Sequence, residues 1–125
     1  RVTFIGPART QHTDSRDDGL TLRIDYGQTS VVVTGCITSN GEKEIVSSGA
    51  AAACDALIVS RGGTEAATCA EWVEAAKPKV ALITGKNPAN SVRIRLQKYG
   101  ATVYAAKENG VMTLFSDGQE ITVEP

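Results

Sequence analysis

The fold is decided by the stretch Ala56-Leu57-Ile58-Val59, because four apolar residues in an unbroken row predict a strand covered on both faces. A helix is predicted over Glu65–Ala76, with Thr64 as its N-cap. A second apolar row, Val80–Thr84, follows that helix and predicts another buried strand. A strand, a helix and a strand in succession predict an α/β layer in which part of the sheet is parallel.

The segments on both sides extend this layer. The alternation of apolar and polar residues over Leu20–Tyr26 predicts a half-buried strand that forms a hairpin with Ser30–Thr34. Further strands are predicted over Val2–Ile5, Thr102–Ala105, Val111–Phe115 and Ile121–Val123, and further helices over Asn40–Ser48 and Ser91–Tyr99. We therefore expect residues 1–125 to form a single domain, an α/β fold with a mixed sheet and helices on one face.

Composition excludes several classes of protein. Hydrophobic residues make up 42% of the chain and charged residues 22%, which argues against intrinsic disorder. There are 13 basic and 14 acidic residues, so the chain lacks the basic footprint of a nucleic-acid-binding domain. No apolar run is long enough to cross a bilayer. We expect a soluble domain without direct membrane contact, and a first residue other than Met suggests a piece of a longer chain.

The cysteines and the histidine are not spaced as in a metal-binding or redox motif. Cys36, Cys54 and Cys69 have neither zinc-knuckle nor redox spacing, and His12 is the single histidine. The acidic residues of the loop around His12 are interpreted as ordinary solvated charges, and they are Asp14, Asp17 and Asp18.

The second face of the predicted sheet needs a cover. Successive right-handed crossovers can place all the helices on one side of a sheet. The rows at 56–59 and 80–83 are nevertheless apolar on both faces. We expect this cover to come from a missing N-terminal half of the parent domain or from a second copy in a homodimer.

Reactive side chains in an α/β sheet lie just past the carboxyl ends of the strands. Three stretches occupy such positions here, and they are Thr34-Gly35-Cys36, Ser60-Arg61-Gly62-Gly63-Thr64 and Thr84-Gly85-Lys86-Asn87-Pro88. We expect the strand order to bring these stretches to one rim of the sheet.

In this order the stretches resemble the C-terminal half of the metallo-β-lactamase-like domain found in ComEC-type DNA-internalisation competence proteins. The framework matches include Asp55–Val59, Pro78–Thr84, Arg95-Leu96, Gly100–Tyr104 and Asn109-Gly110. The resemblance extends from Val2 to Phe115 and implies half of an αββα sandwich. It also implies a role in DNA uptake within a membrane-anchored parent, with this domain extracytoplasmic.

The same resemblance implies a degenerate metal site. Where the family has a metal-bridging aspartate this chain has Cys36, and where it has two adjacent histidines this chain has Arg61 and Gly62. The family's later histidine corresponds to Asn87, and its His-x-His-x-Asp-His cluster does not occur. Zinc needs about four N, O or S ligands. We therefore expect no metal or other cofactor and a non-catalytic structural or binding module.

Two alternatives stay open. In the first, an N-terminal half outside this sequence completes a metal-dependent hydrolase or nuclease, with Cys36 or Asn87 as a ligand. In the second, the glycine-rich loop binds phosphate or the DNA backbone. The residues of that second candidate site are Arg61, Gly62, Gly63, Thr64 and Lys86.

Overall fold

A computed structural model describes residues 1–124 of the chain as a mixed α/β fold. Six strands form one sheet, and they are β1 (Val2–Gly6), β2 (Thr21–Tyr26), β3 (Thr29–Val33), β4 (Ala56–Ile58), β5 (Val80–Ile83) and β6 (Thr102–Ala105). A separate hairpin contains β7 (Thr113–Ser116) and β8 (Ile121–Glu124). The helices are α1 (Ser39–Ser47), α2 (Ala70–Ala76), α3 (Asn90–Lys98) and α4 (Ala106–Asn109).

The strands of the large sheet lie side by side in the order in which they occur in the sequence, from β1 to β6. The pairs β1–β2 and β2–β3 are antiparallel, whereas β3, β4, β5 and β6 are parallel. The register aligns Val32 with Leu57 and Leu57 with Ala81 across the parallel strands. This arrangement confirms the predicted mixed sheet with a parallel part.

One face of the sheet packs against the three longer helices. Val32, Leu57 and Ala81 are fully buried in a core that also contains residues of α1, α2 and α3. The helical members of this core are Ile45, Trp72, Val73, Ala76, Val92 and Leu96. Because side chains alternate between the two faces of a strand, these helices all cover the same face.

The opposite face is apolar but open where β1 and β2 lie. Val2 is 60% exposed and Phe4 is 65% exposed, and the register pairs them with Ile24 and Leu22. Ile58, on the same face of β4, is half-buried. The β7–β8 hairpin reaches the β2–β3 turn, where the Gln28 N–H donates to the Gly118 carbonyl at 2.6 Å. The apolar rows therefore have a helical cover on one face and an incomplete cover on the other.

The predicted start of α2 is wrong. The helix begins at Ala70 instead of Glu65, and Thr64 does not cap it. A short 3₁₀ turn over Ser60–Gly63 precedes the predicted range. Within that range, Thr68 has a φ of +61°, which interrupts a right-handed helix. The carboxylate of Glu42 on α1 accepts hydrogen bonds from the N–H groups of Thr68 and Cys69, at 2.7 and 2.9 Å. A side chain from another helix thus takes the place of the predicted local cap.

Candidate functional site

The three predicted stretches meet at one rim of the sheet, past the carboxyl ends of β3, β4 and β5. The Arg61 N–H donates to the Gly35 carbonyl at 2.9 Å, and Ser60 Oγ donates to the Ile37 carbonyl at 2.6 Å. On the other side, the Ala89 N–H donates to the Gly63 carbonyl at 2.9 Å. Backbone hydrogen bonds therefore join the middle loop to both of its neighbours.

The centre of this rim is a contact between the backbones of two glycines. Gly62 has a φ of +62°, and a Cβ atom built on it would lie 2.7 Å from Gly85 Cα. Real Cβ atoms essentially never approach a neighbour so closely. The backbone of Gly62 is therefore packed against the backbone of Gly85, and a side chain does not fit at position 62 without a shift of the backbone.

Arg61 lies beside this contact in a left-handed conformation, with a φ of 51°. Its side chain is half-buried, and Nη1 is buried without a hydrogen-bond partner among residues 1–124. Asp14 is close enough for its charge to interact with Arg61. The pKa of Asp14 is lowered to about 2, mainly by the hydrogen-bonded Arg16 side chain and to a small extent by Arg61. The rim thus carries a guanidinium group whose charge acts on Asp14, a carboxylate of the loop formed by residues 8–19.

The remaining predicted site residues differ in accessibility. Cys36, Lys86 and Asn87 are exposed at the rim, whereas Gly63 is buried and Thr64 is half-buried. Burial raises the pKa of the other two thiols, Cys54 and Cys69, to about 12, which removes them as nucleophiles at neutral pH. Within residues 1–124, no three His, Cys, Asp or Glu side chains are grouped so that they could hold a metal ion.

Sequence reasoning missed the organisation of the loop that precedes β2. Asp17 is buried, against the expectation of a solvated charge, and its Oδ1 accepts hydrogen bonds from the N–H and the Oγ1 of Thr38, at 2.7 and 2.8 Å. Thr38 is the residue before α1, so Asp17 supplies a negative charge at the N-terminus of that helix. The acidic residues of the loop were visible in the sequence, but nothing in their spacing indicated which of them would be buried.

His12 lies in the same loop and connects the loop to α1. The imidazole Nδ1 lies 2.7 Å from Asp18 Oδ1, and Nε2 lies 2.6 Å from Glu44 Oε2. Arg9 Nη2 lies 3.0 Å from the other oxygen of the Glu44 carboxylate. An open groove of about 750 Å³ runs between the loop and α1. The loop is therefore held by charged contacts at His12 and at Asp17.

The fold and the rim define a mixed α/β domain with helices on one face and three joined loops at the carboxyl edge of its sheet. The chain is similar to ComE operon protein 3 of Bacillus subtilis (strain 168), with 26% identity over 114 residues. The similarity covers 86% of this chain and 15% of the length of that relative. No protein-family model and no solved structure matches the chain. The similarity supports a link to competence proteins in general terms.

No helix within residues 1–124 combines the length and the apolar character needed to span a bilayer.

Proposed function

We propose that the chain is a non-catalytic structural and binding module of a DNA-uptake protein, and that its metal site has degenerated. The observation that carries this proposal is the packed contact between Gly62 and Gly85, which leaves no room for a side chain at a position where the resemblance implies a metal ligand. The side chains around it are a thiol, a guanidinium and an amide, at Cys36, Arg61 and Asn87. An arginine repels a divalent cation, which supports a structural role for this rim.

The binding surface of the module is the open apolar face of the sheet. Val2, Phe4 and Ile24 are exposed on this face, and large exposed apolar patches mark interaction sites. We propose that its occupant is a further polypeptide segment of a longer protein. The similar region of the relative makes up only 15% of that relative, so there it is embedded in a much longer chain. The parent is proposed to be membrane-anchored, with this domain outside the cytoplasm.

The test compares the two surfaces in the organism that carries the sequence, with the frequency of transformation by added DNA as the readout. Phe4→Asp places a charge on the open face and is expected to reduce transformation at least tenfold. Cys36→Ala and Asn87→Ala alter side chains at the rim and are expected to leave the frequency of transformation unchanged. Loss of transformation with Cys36→Ala, together with stoichiometric zinc or manganese in the purified protein, would overturn the proposal in favour of the hydrolase.

Two controls keep the result interpretable. Phe4 is 65% exposed, so Phe4→Asp is expected to leave the thermal unfolding midpoint of the purified chain nearly unchanged, as for most surface substitutions. The mass of the chain in solution, measured by light scattering, is expected to be that of a monomer. A dimer that Phe4→Asp dissociates would assign the open face to a second copy.

A second candidate function is a contact with phosphate or the DNA backbone at the Arg61 loop. The unpartnered Nη1 of Arg61 favours it, and exposed Lys86 lies in the neighbouring loop. This reading predicts binding of short DNA duplexes that weakens as salt is raised and is lost in Arg61→Gln. Lys107→Gln, an exposed lysine on α4, is the matched control. Equal binding by Arg61→Gln and the unaltered chain would remove this candidate.

A further inference from the structure

The contact between His12 and two carboxylates is unusual because both imidazole nitrogens are used. The ring is nearly enclosed, with 3% of its side-chain surface exposed. Asp18 comes from the loop itself, and Glu44 comes from α1, 32 residues further along the chain. The imidazole is therefore the link between the 8–19 loop and the helix.

The chemistry of the partners fixes the charge of the ring. An ionised carboxylate only accepts hydrogen bonds, whereas a neutral imidazole has one N–H group and one unprotonated nitrogen. Both short contacts, at 2.7 and 2.6 Å, are satisfied together only when both nitrogens carry protons. When the ring loses a proton, one nitrogen lone pair faces a carboxylate oxygen, and that contact becomes repulsive.

We propose that His12 is a pH-sensitive latch, which holds the 8–19 loop on α1 while the imidazole is protonated and releases the loop when the proton is lost. The latch is independent of the proposed role in DNA uptake. Its release widens the open groove beside α1. Because Asp17 and Asp14 belong to the same loop, release also draws Asp17 away from Thr38 and Asp14 away from Arg61. The device therefore couples the rim of the sheet to pH.

The charges around the ring set the direction of the effect. The pKa of His12 is raised above its usual 6.5, first by the hydrogen bond to Asp18 and also by Glu44, while burial opposes the rise. The other charged groups that line the groove from the loop and from α1 are Arg9, Asp14, Asp17 and Lys43. A group whose pKa is raised by closure stabilises the closed loop fully below pH 6.5. That stabilisation is lost as pH rises through the raised value.

The test is a nuclear magnetic resonance titration of the intact chain. Because His12 is the single histidine, the imidazole signals need no assignment. We expect its pKa to exceed 6.5 in the folded protein and to return to about 6.5 in urea. We also expect the Thr38 and Asp17 amides to lose protection from hydrogen exchange, corrected for intrinsic rate, with the same midpoint as the ring. Each unit of pKa shift weakens loop closure about tenfold once the proton is lost.

Three variants decide the outcome. Glu44→Gln is expected to lower the pKa of His12 towards 6.5, whereas Glu74→Gln, which changes an exposed glutamate on α2, leaves it unchanged. His12→Gln is expected to leave the loop amides unprotected at every pH, while the amides of β4 and β5 stay protected and show that the fold is intact. A folded-state pKa of 6.5 or below, or loop protection that does not follow the titration, would overturn the latch.

Discussion

Among single residues, Gly62 has two reasons to be glycine. Its φ of +62° lies in the left-handed region, and a Cβ atom would meet the backbone of Gly85 at 2.7 Å. We therefore predict that Gly62→Ala lowers the free energy of unfolding by about 2–4 kcal/mol, from strain and a backbone shift together. Urea unfolding, followed by the fluorescence of the single tryptophan, measures the change.

Gly49 is the matched control for this substitution. It has a φ of +77°, but a Cβ atom built on it has nothing within 4 Å. Gly49→Ala therefore tests the left-handed conformation alone, and its expected cost is about 1 kcal/mol. If the two variants lost the same stability, the close approach of Gly62 and Gly85 would not be a restraint on the rim.

Glu42 is a buried acid whose ionisation opposes folding. Burial is the main cause that raises its pKa to about 7, although the N–H groups of Thr68 and Cys69 and the charge of Arg95 favour the carboxylate. Between about pH 4.5 and 7 the folded state binds more protons at this site than the unfolded state does. Stability therefore falls as pH rises through this window, by about 3 kcal/mol in total.

Replacing this acid with an amide isolates its contribution. We predict that Glu42→Gln removes the contribution of this acid to the pH dependence of stability. Between about pH 4.5 and 7, the free energy of unfolding of the variant is therefore expected to rise relative to that of the unaltered chain. Urea unfolding at several pH values measures the difference, in which the titration of His12 cancels. A difference that stays constant with pH would show that folding does not raise the pKa of Glu42.

Among the elements, α2 depends on a single large side chain for its packing. Trp72 is fully buried, and its Nε1 has no hydrogen-bond partner among the described residues. We predict that Trp72→Ala costs about 3–5 kcal/mol because it leaves a cavity in the core. Trp72→Phe is expected to cost about 1 kcal/mol, since the smaller ring leaves no unpaired N–H group. Thermal unfolding monitored by circular dichroism distinguishes the two, and equal losses would contradict this account.

Elements with a clear local pattern were predictable from the sequence. The alternation in Leu20–Tyr26 corresponds to β2, and the apolar row at 80–84 corresponds to β5. The start of α2 was not predictable, because it depends on Glu42, which is 28 residues before Ala70 in the chain. The sequence likewise predicts no helix over Ala106–Asn109, where α4 forms. Local periodicity gives the type of an element, while distant side chains decide where it ends.

The candidate site was predictable to a similar extent. The rule that loops at the carboxyl ends of parallel strands share one edge is sufficient to place Cys36, Arg61 and Asn87 in loops on the same rim. The packing of Gly62 against Gly85 was not predictable, because it depends on the tilt of two loops. The contacts of His12 with Asp18 and Glu44 were not predictable either, because they form only after the loop folds back on α1.

In the whole molecule, the β7–β8 hairpin is a separate unit. It forms its own two-stranded sheet and is fastened to the β2–β3 turn by the Gln28–Gly118 hydrogen bond and by Thr29 Oγ1 and Ser116 Oγ at 2.6 Å. We predict that its amides exchange with solvent about 100-fold faster than those of β4 and β5, because few buried contacts hold it. Hydrogen exchange measured by mass spectrometry checks this rate.

Ser116→Ala is the companion variant for that measurement. It removes the hydroxyl contact with Thr29 and is expected to speed exchange in the hairpin alone. Equal exchange rates in the hairpin and in β5 would mean that the two sheets open as one cooperative unit.

The order of the large sheet has a consequence for how the protein is made. Because each strand of this sheet lies next to its predecessor in the chain, each new strand from β2 to β6 adds to an edge that already exists as it leaves the ribosome tunnel. No strand must insert between two partners that have formed earlier. Assembly can therefore proceed in step with translation, so the nascent sheet need not wait for its last residues before it begins to grow.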